Sequence, residues 1–373
     1  VKKSGIFSSG GLGFTIGSQK QSDEYTTGEK SQVGSTVGST DGKVNITSGK
    51  DVKIQASDVI ATDDINITGQ NVAIQNGDNV TNQSEKHEFK QTGLTVSLGG
   101  ALVQSATSLE NHIQRSEEVQ DKRLADLHKL QAVRDAQDLS KDLSGNRKEI
   151  SQNLNISISL GSQKSESNNQ ALITEAKTSN INSNKDVNIT ATKDINVIGT
   201  EITGENINLK ATDNINLQSA ENKTIQTENN SQSGSSIGVV ISTKGITPTL
   251  STNKAKENGN GTTTTHTITK ITANQTLNAE ADKDINLKGA QVSADKIKIT
   301  AGGNLNLESQ QDTDTYKETS SSSGINLSLD KITNADNKIV NKLNAQGSSS
   351  KGKIDSNYQS VTEQTGIYAG KQG

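Results

Sequence analysis

The chain has 373 residues, a net charge of −4 at pH 7 and 28% hydrophobic residues, with 2% aromatics, one Pro and no Cys, Met or Trp. These numbers exclude a compact two-domain enzyme, whose thick core would need the large side chains that are missing, and they exclude disulfides and Cys-based zinc sites. Low hydrophobicity would suit a disordered chain, but the nearly balanced charge and the regular placement of the apolar residues point to a thin-cored, elongated, repetitive protein.

The chain opens on a short amphipathic strand, Leu12-Gly13-Phe14-Thr15-Ile16-Gly17, followed by a polar stretch from Gln19 to Asp41. A block with one repeated grammar comes next: Asp, Asn or Lys, then aliphatic, polar, aliphatic. It reads Lys43-Val44-Asn45-Ile46, Asp51-Val52-Lys53-Ile54, Asp64-Ile65-Asn66-Ile67 and Asn71-Val72-Ala73-Ile74. A second block reads Asp186-Val187-Asn188-Ile189, Asp194-Ile195-Asn196-Val197, Asn206-Ile207-Asn208-Leu209 and Asn214-Ile215-Asn216-Leu217. A third holds Asp284-Ile285-Asn286-Leu287, Lys296-Ile297-Lys298-Ile299 and Asn304-Leu305-Asn306-Leu307, with a weaker opening piece around Leu277.

The spacing carries the fold inference. Successive pieces start 8, 12 and 8 residues apart in the second block, 12 and 8 in the third, and 8, 13 and 7 in the first. Eight plus twelve gives a period of 20. Each piece alternates with period two, so each is a short strand with one face in and one face out. The leading Asp or Asn suits a turn, and Ala56, Gly199 and Gly289 fall where the chain would round a corner. Short strands on a fixed period of this length predict an all-β solenoid, with coils stacked about 4.8 Å apart. The aliphatic pairs of all three blocks, from Val44 and Ile46 through Leu305 and Leu307, would form its internal ladders, with the intervening polar residue outside. One coil buries too little to stand alone, so stacking supplies the stability. The rival reading, antiparallel hairpins, joins strands through two to five Gly-rich residues and fits the 8 and 12 spacing less well.

The amphipathic strand recurs between the blocks, at Leu94 to Gly99, Leu154 to Gly161, Ile237 to Ile241 and Ile325 to Leu329, and Gly17-Ser18-Gln19-Lys20 returns as Gly161-Ser162-Gln163-Lys164. The steps from Ile16 to Leu98, Leu160 to Ile241 and Ile241 to Leu329 are 82, 81 and 88 residues, so strand plus block is a larger repeating unit. The Ser-, Thr-, Asn- and Gln-rich stretches, such as Gln163 to Ser183 and Lys244 to His266, read as extended hairpins or mobile loops projecting from the solenoid. One segment breaks the pattern. From Ala101 to Asp142 helical spacings appear, with Leu109 and Ile113 at i,i+4 and Leu124 and Leu127 at i,i+3. A helix or helical hairpin along the solenoid flank is expected there, since the heptads are not sustained and the basic face of a membrane-surface helix is missing. The expected organisation is therefore strand and polar hairpin 1–41, solenoid block 42–78, strand 79–100, helical segment 101–150, strand and polar loop 151–182, block 183–222, strand and hairpin 223–275, block 276–309, and strand with a C-terminal repeat segment 310–373.

No catalytic, cofactor or metal constellation emerges. His87, His112, His128 and His266 form no i,i+4 pair and no HExxH motif. Gly234-Ser235-Ser236-Ile237-Gly238 matches G-x-S-x-G, but a nucleophile elbow needs an α/β sheet around it. Gly11-Leu12-Gly13 lacks the third glycine of a dinucleotide fingerprint, and Gly302-Gly303-Asn304 lacks the remainder of a calcium-binding nonapeptide. An isoelectric point near 5.7 argues against nucleic acid, which usually wants a basic patch. No apolar run approaches the roughly 18 residues of a membrane helix. The absence of Met leads to the expectation that the sequence is a piece of a longer protein, with any signal peptide outside it. The absence of Cys suits a chain that crosses an oxidising compartment unfolded.

The residues Ser4 to Ser18, Ser35-Thr36-Val37-Gly38-Ser39, Gln91-Thr92-Gly93-Leu94-Thr95-Val96 and Ser356 to Gly370 resemble those of filamentous-haemagglutinin-like exoproteins of two-partner secretion. The likeness is nearest to the second haemagglutinin-repeat region of CdiA-type contact-dependent growth inhibition proteins, and it covers essentially the whole chain. It implies a right-handed parallel β-helix, secreted through an outer-membrane transporter partner and displayed on a bacterial surface filament. It also implies engagement of a target cell's outer membrane while a C-terminal toxin passes across. Related adhesins share the repeats, so a structural segment of an adhesin filament is the alternative; a solenoid polysaccharide lyase or hydrolase would need carboxylates or basic residues clustered on a strand face, and the outward Asn positions do not offer them. On its own residues the chain supports membrane entry weakly. Its amphipathic strands span five to seven residues, where a membrane strand needs about 9–11 and aromatic girdles, so capping or flanking the solenoid is their expected role.

Overall fold

The computed structural model describes residues 2–8, 13–99, 131, 133–134, 155–242, 245–333 and 338–370. Among these the chain is a parallel β-solenoid with a second, antiparallel sheet growing from its flank.

Following the chain, β1 (Lys2–Ser8) and β2 (Gly13–Lys30) pair antiparallel, and the solenoid then begins. The first coil is β3 (Thr36–Ser39), β4 (Val44–Thr47) and β5 (Val52–Gln55); the second is β6 (Asp58–Ala61), β7 (Ile65–Gly69) and β8 (Val72–Gln75). The chain leaves through β9 (Gly77–Gly99) and returns through β10 (Asn155–Lys177). Two more coils follow, β11 (Ser179–Ser183), β12 (Asp186–Ala191) and β13 (Ile195–Ile198), then β14 (Thr200–Ala211) and β15 (Ile215–Gln218). A second excursion is β16 (Ala220–Ser242) and β17 (Gly245–Thr267). The fifth and sixth coils are β18 (Thr269–Ala281) and β19 (Ile285–Lys288), then β20 (Ala290–Ala294), β21 (Lys296–Ala301) and β22 (Leu305–Glu308). The third excursion, β23 (Asp312–Thr333) and β24 (Ile339–Ser360), ends in β25 (Gly366–Ala369), which pairs parallel with β20 and opens another coil.

The coils stack without a break: β6 meets β11 and β8 meets β13 although about 120 residues of sequence separate them. The three sequence blocks are thus one solenoid. Each coil contributes three short strands, not two. The 12-residue step hides the third, as in Thr200–Thr203, which carries a single inward aliphatic residue, Ile202. Val37, Val59, Ile181, Ile202, Ile271, Val292 and Ile367 line up as a ladder from these segments.

The other ladders run in register through the six coils. Val44, Ile65, Val187, Ile207, Leu277 and Ile297 stack in one, and Val52, Val72, Ile195, Ile215, Ile285 and Leu305 in another. Ile54, Ile67, Ile74, Ile189, Val197, Leu209, Leu217 and Leu287 are buried with them, and Ile46 and Ile299 are half-buried at the ends. Leu305 and Leu307 are 45% and 48% exposed, because β22 lies on β19 and, among the described residues, no strand lies on its other side.

Corners are turned by left-handed backbone at one repeated place, φ 49° at Ala56, 52° at Gly199 and 70° at Gly289. At the first residue of β11, β14 and β18 a hydroxyl bonds a strand-end carbonyl: Ser179 Oγ donates to Gln75 O at 2.7 Å, Thr200 Oγ1 to Ile198 O at 2.9 Å and Thr269 Oγ1 to Gln218 O at 2.5 Å. These three side chains are fully buried and each is satisfied, as a buried hydroxyl must be.

Outside the core, asparagines form continuous amide ladders. Asn66 donates to Asn45, Asn188 to Asn66, Asn208 to Asn188 and Asn278 to Asn208, at 2.7 to 2.9 Å. At the turn into the last strand of each coil the stack alternates Asp51, Asn71, Asp194, Asn214, Asp284, Asn304. Alternation keeps each carboxylate next to an amide donor, with the Asn214 amide 2.9 Å from Asp194. Asn214→Asp would remove that bond and set a third carboxylate between Asp194 and Asp284, one coil from each. At pH 7 we expect a loss of about 2 kcal/mol. Mutual repulsion raises the folded-state pKa of the added group, so the penalty holds above that pKa and fades as pH falls through it. Thermal unfolding of variant and parent should therefore differ at pH 7 and converge near pH 4; an equal gap at both would contradict the charge argument.

The excursions and the opening pair β1-β2 form one eight-stranded antiparallel sheet in the order β1-β2-β9-β10-β16-β17-β23-β24. All three leave at the same corner, after β8, β15 and β22, and one leaves every second coil. Two coils rise about 10 Å and a hairpin is two strands, also about 10 Å, wide. Hairpin and coil repeats therefore match, and neighbouring hairpins pair edge to edge. The polar stretches, expected as extended hairpins or mobile loops, lie largely in hairpin strands of this sheet. β9, β10, β16 and β17 are each 23 residues long, which carries the hairpins about 75 Å outward. Asn222 ties the base together, accepting from Ala176 N at 2.8 Å and donating to Thr267 Oγ1 at 2.9 Å.

Candidate membrane-facing surface

The amphipathic strands, expected to cap or flank the solenoid, are the far ends of these long strands in the sheet on its flank. Residues directly opposite one another across an antiparallel pair share a face. The register places Ile6, Ile16, Leu94, Leu160, Ile237, Leu250 and Leu327 in one row crossing seven strands. Two residues further out on the same face lie Phe14, Val96, Ile158, Val239 and Pro248, with Leu329 and Leu343 paired on the last two strands. Two further still, Leu98, Ile156, Ile241 and Ile246 form a third row. Leu160 is 57% and Ile237 62% exposed. A shallow groove of about 500 Å³ runs between Ile237, Val239, Leu250, Leu327, Leu329 and Leu343. The result is a continuous apolar face on solvent, larger than single scattered residues would explain.

The opposite face at the same level is mainly polar. Thr15, Thr95, Ser159, Gly238, Thr249 and Ser328 form one row, which continues onto Phe7 of β1, with Thr15 Oγ1 2.8 Å from Thr95 Oγ1; Val240 stands two residues further out. A groove of about 520 Å³ lies along this side, among Thr95, Gln91, Ser159, Gln163 and Asn253. Gly17 faces Gly93 and Gly93 faces Gly161. A side chain at Gly17 would run into the Thr92 carbonyl, so the strands approach closely there.

Nearer the solenoid, on the apolar face, the register aligns Lys2, Lys20, Lys90, Lys164 and Lys254, with Ser233 between the last two. Lys90 reaches Glu88 at 2.6 Å and Lys164 reaches Glu166 at 2.7 Å. These hydrogen-bonded partners hold both glutamates below the ordinary carboxylate range and raise Lys164. In the sequence Lys20 and Lys164 stand out only as the ends of a repeated tetrapeptide. The signal for the row was that repeat, read with a register that one chain does not display.

His87 stands between Asp23 and Glu85, 2.8 Å from a carboxylate oxygen of each, and these hydrogen bonds raise its pKa above the ordinary imidazole value. His266 meets Asp312 at 3.1 Å. Burial works against the charge on Asp312, yet hydrogen bonds from Thr362 and His266 hold its carboxyl below the usual range. His112 and His128, like most of the helical segment expected over 101–150, lie outside the described residues; Gln131, Val133 and Arg134 are helical and exposed. Gly234 to Gly238 lies inside β16, not on a strand-to-helix turn. Among the described residues no three His, Asp or Glu converge as metal ligands would, and no helix is long and apolar enough to cross a membrane.

The fold defines a class: a parallel β-solenoid whose paired coils each extrude a hairpin into a lateral sheet. The repeat is also a family signature. The Hemagglutinin repeat family model matches residues 16–155 and 158–325, and the chain belongs to that family. Its relatives include a Deoxyribonuclease CdiA of Dickeya dadantii, 36% identical over 386 residues, and a Toxin CdiA of Escherichia coli, 34% identical over 395. The whole chain is covered in both, but it spans only 11% and 12% of those proteins. A Deoxyribonuclease CdiA of Yersinia pseudotuberculosis is 34% identical over 390 residues, which is 35% of its length. No solved structure matches the chain. This is the haemagglutinin-repeat region of CdiA-type proteins.

Proposed function

We propose that this region is a non-enzymatic, membrane-engaging element of a secreted surface exoprotein that passes a toxin into a neighbouring bacterium. The toxin belongs to another part of the full-length protein, and a two-partner transporter in the outer membrane exports the whole. In this reading the solenoid is the stalk and the lateral sheet is the element presented to the target cell's outer membrane.

The three exposed apolar rows carry the proposal. They span four residues of strand, about 14 Å, close to half of a hydrocarbon core about 30 Å thick. The sheet in this form is matched to one leaflet, and a full crossing would take about 9–11 residues per strand. On β2, β9, β10 and β17 the polar opposite face gives the strand ends the two-residue alternation that membrane strands use.

The test is a fractionation of the purified chain mixed with intact Gram-negative cells, then washed and treated with protease. Protected outer-membrane fragments containing the strand ends near residues 94–98, 156–160 and 237–250 are expected. Complete digestion would overturn the membrane reading and leave an adhesin-filament segment as the better account.

A further inference from the structure

We infer that the lysine row of the lateral sheet docks on the phosphate groups of an anionic lipid bilayer when the apolar strand ends enter it. The inference deepens the membrane reading proposed above and rests on it.

The placement is the argument. Lys20, Lys90, Lys164 and Lys254 stand on the same face as the apolar rows, four residues nearer the solenoid than Ile16, Leu94, Leu160 and Leu250. Four residues are about 13 Å of strand. The row between them is neutral and hydrogen-bonding: Ser18, Thr92, Ser162, Ser235 and Thr252. Apolar, then hydroxyl, then cationic is the order of a bilayer read outward from its hydrocarbon edge to its phosphates. Lysine stems are long enough to close the remaining few ångströms while keeping the ammonium among the headgroups.

The charge is also weighted to one side. At the same level the opposite face carries Lys3 on β1 and then Gln19, Gln91, Gln163 and Asn253, which are uncharged. Glu88 and Glu166 sit one row further toward the solenoid, where they hold Lys90 and Lys164 by ion pairs of 2.6 and 2.7 Å. Those two lysines are partly neutralised. Lys20 and Lys254 are exposed and carry no ion pair among the described residues. They supply most of the attraction.

The experiment is co-sedimentation of the full chain with vesicles of phosphatidylcholine alone, and of phosphatidylcholine with roughly one phosphatidylglycerol in four. Parent protein should bind the anionic vesicles more tightly, and the difference should shrink as salt shortens the Debye length from about 10 Å at 0.1 M toward 3 Å at 1 M. The double variant Lys20→Gln, Lys254→Gln should bind anionic vesicles about twenty-fold more weakly and neutral vesicles unchanged. Both positions are exposed, and an unaltered circular dichroism melt checks that the sheet is intact. Equal binding of the parent to both vesicles would overturn the lysine inference and leave the membrane reading standing. An anionic preference that survives in the double variant would also overturn it. Binding to neither vesicle would remove both.

Discussion

Ile207→Ala is expected to destabilise the solenoid by about 3 kcal/mol, and Leu305→Ala by less than about 1 kcal/mol. Both are ladder positions with the same outward neighbour, Asn208 and Asn306, and both precede an identical Asn-Leu step. They differ in what stacks on them. Ile207 is fully buried between Val187 in the coil below and Leu277 in the coil above. Truncating it leaves a cavity that two flanking coils cannot close. Leu305 rests on Ile285 alone and is nearly half exposed, so truncation removes little buried area. In a linear stack each coil is held by its neighbours, and a central loss is felt on both sides. Urea titrations followed by circular dichroism would measure the difference. Equal penalties at the two positions would mean that stacking is not what stabilises the coils.

The solenoid was legible because each of its strands hides one face from water. That burial writes period-two alternation into Val187 to Ile189 or Ile285 to Leu287, and the turns write Asp and Asn before them. The segment Thr200–Thr203 escaped notice because one inward residue, Ile202, makes no pattern. The lateral sheet was harder for the same reason in a stronger form. Along Gln163 to Lys177, or Ser251 to Thr267, both faces are largely solvated, so no hydrophobic periodicity exists to read. Those strands are fixed by lateral backbone pairing and by a match of dimensions: two coils are as tall as one hairpin is wide. Only the far ends alternate, and from sequence they read as short isolated strands. The apolar rows and the lysine row are properties of register, in which Ile16, Leu94, Leu160 and Ile237 become neighbours though Ile16 and Ile237 are over 200 residues apart.

Depth should order the effect of a charge placed on the apolar face. In β16, Ile241 lies one residue from the strand's outer end and Ile237 four residues further in, on the row nearest the lysines. Tip-first entry puts Ile241 deepest and Ile237 close to the headgroups. Ile241→Asp should then weaken binding to phosphatidylcholine vesicles about thirty-fold, equivalent to about 2 kcal/mol, and Ile237→Asp only a few-fold. Simple adhesion through an exposed patch predicts the reverse order, because Ile237 is 62% exposed and Ile241 38%. Neither substitution touches the solenoid ladders, and each disturbs two cross-strand pairs of the lateral sheet, one to β10 and one to β17, worth about 0.2–1 kcal/mol apiece. The urea midpoint of the solenoid should therefore be unchanged in both variants. The protease-protected outer-membrane fragment should be lost in Ile241→Asp and retained in Ile237→Asp. If the order is inverted, the sheet binds with its face flat on a surface and the strand ends do not enter the bilayer.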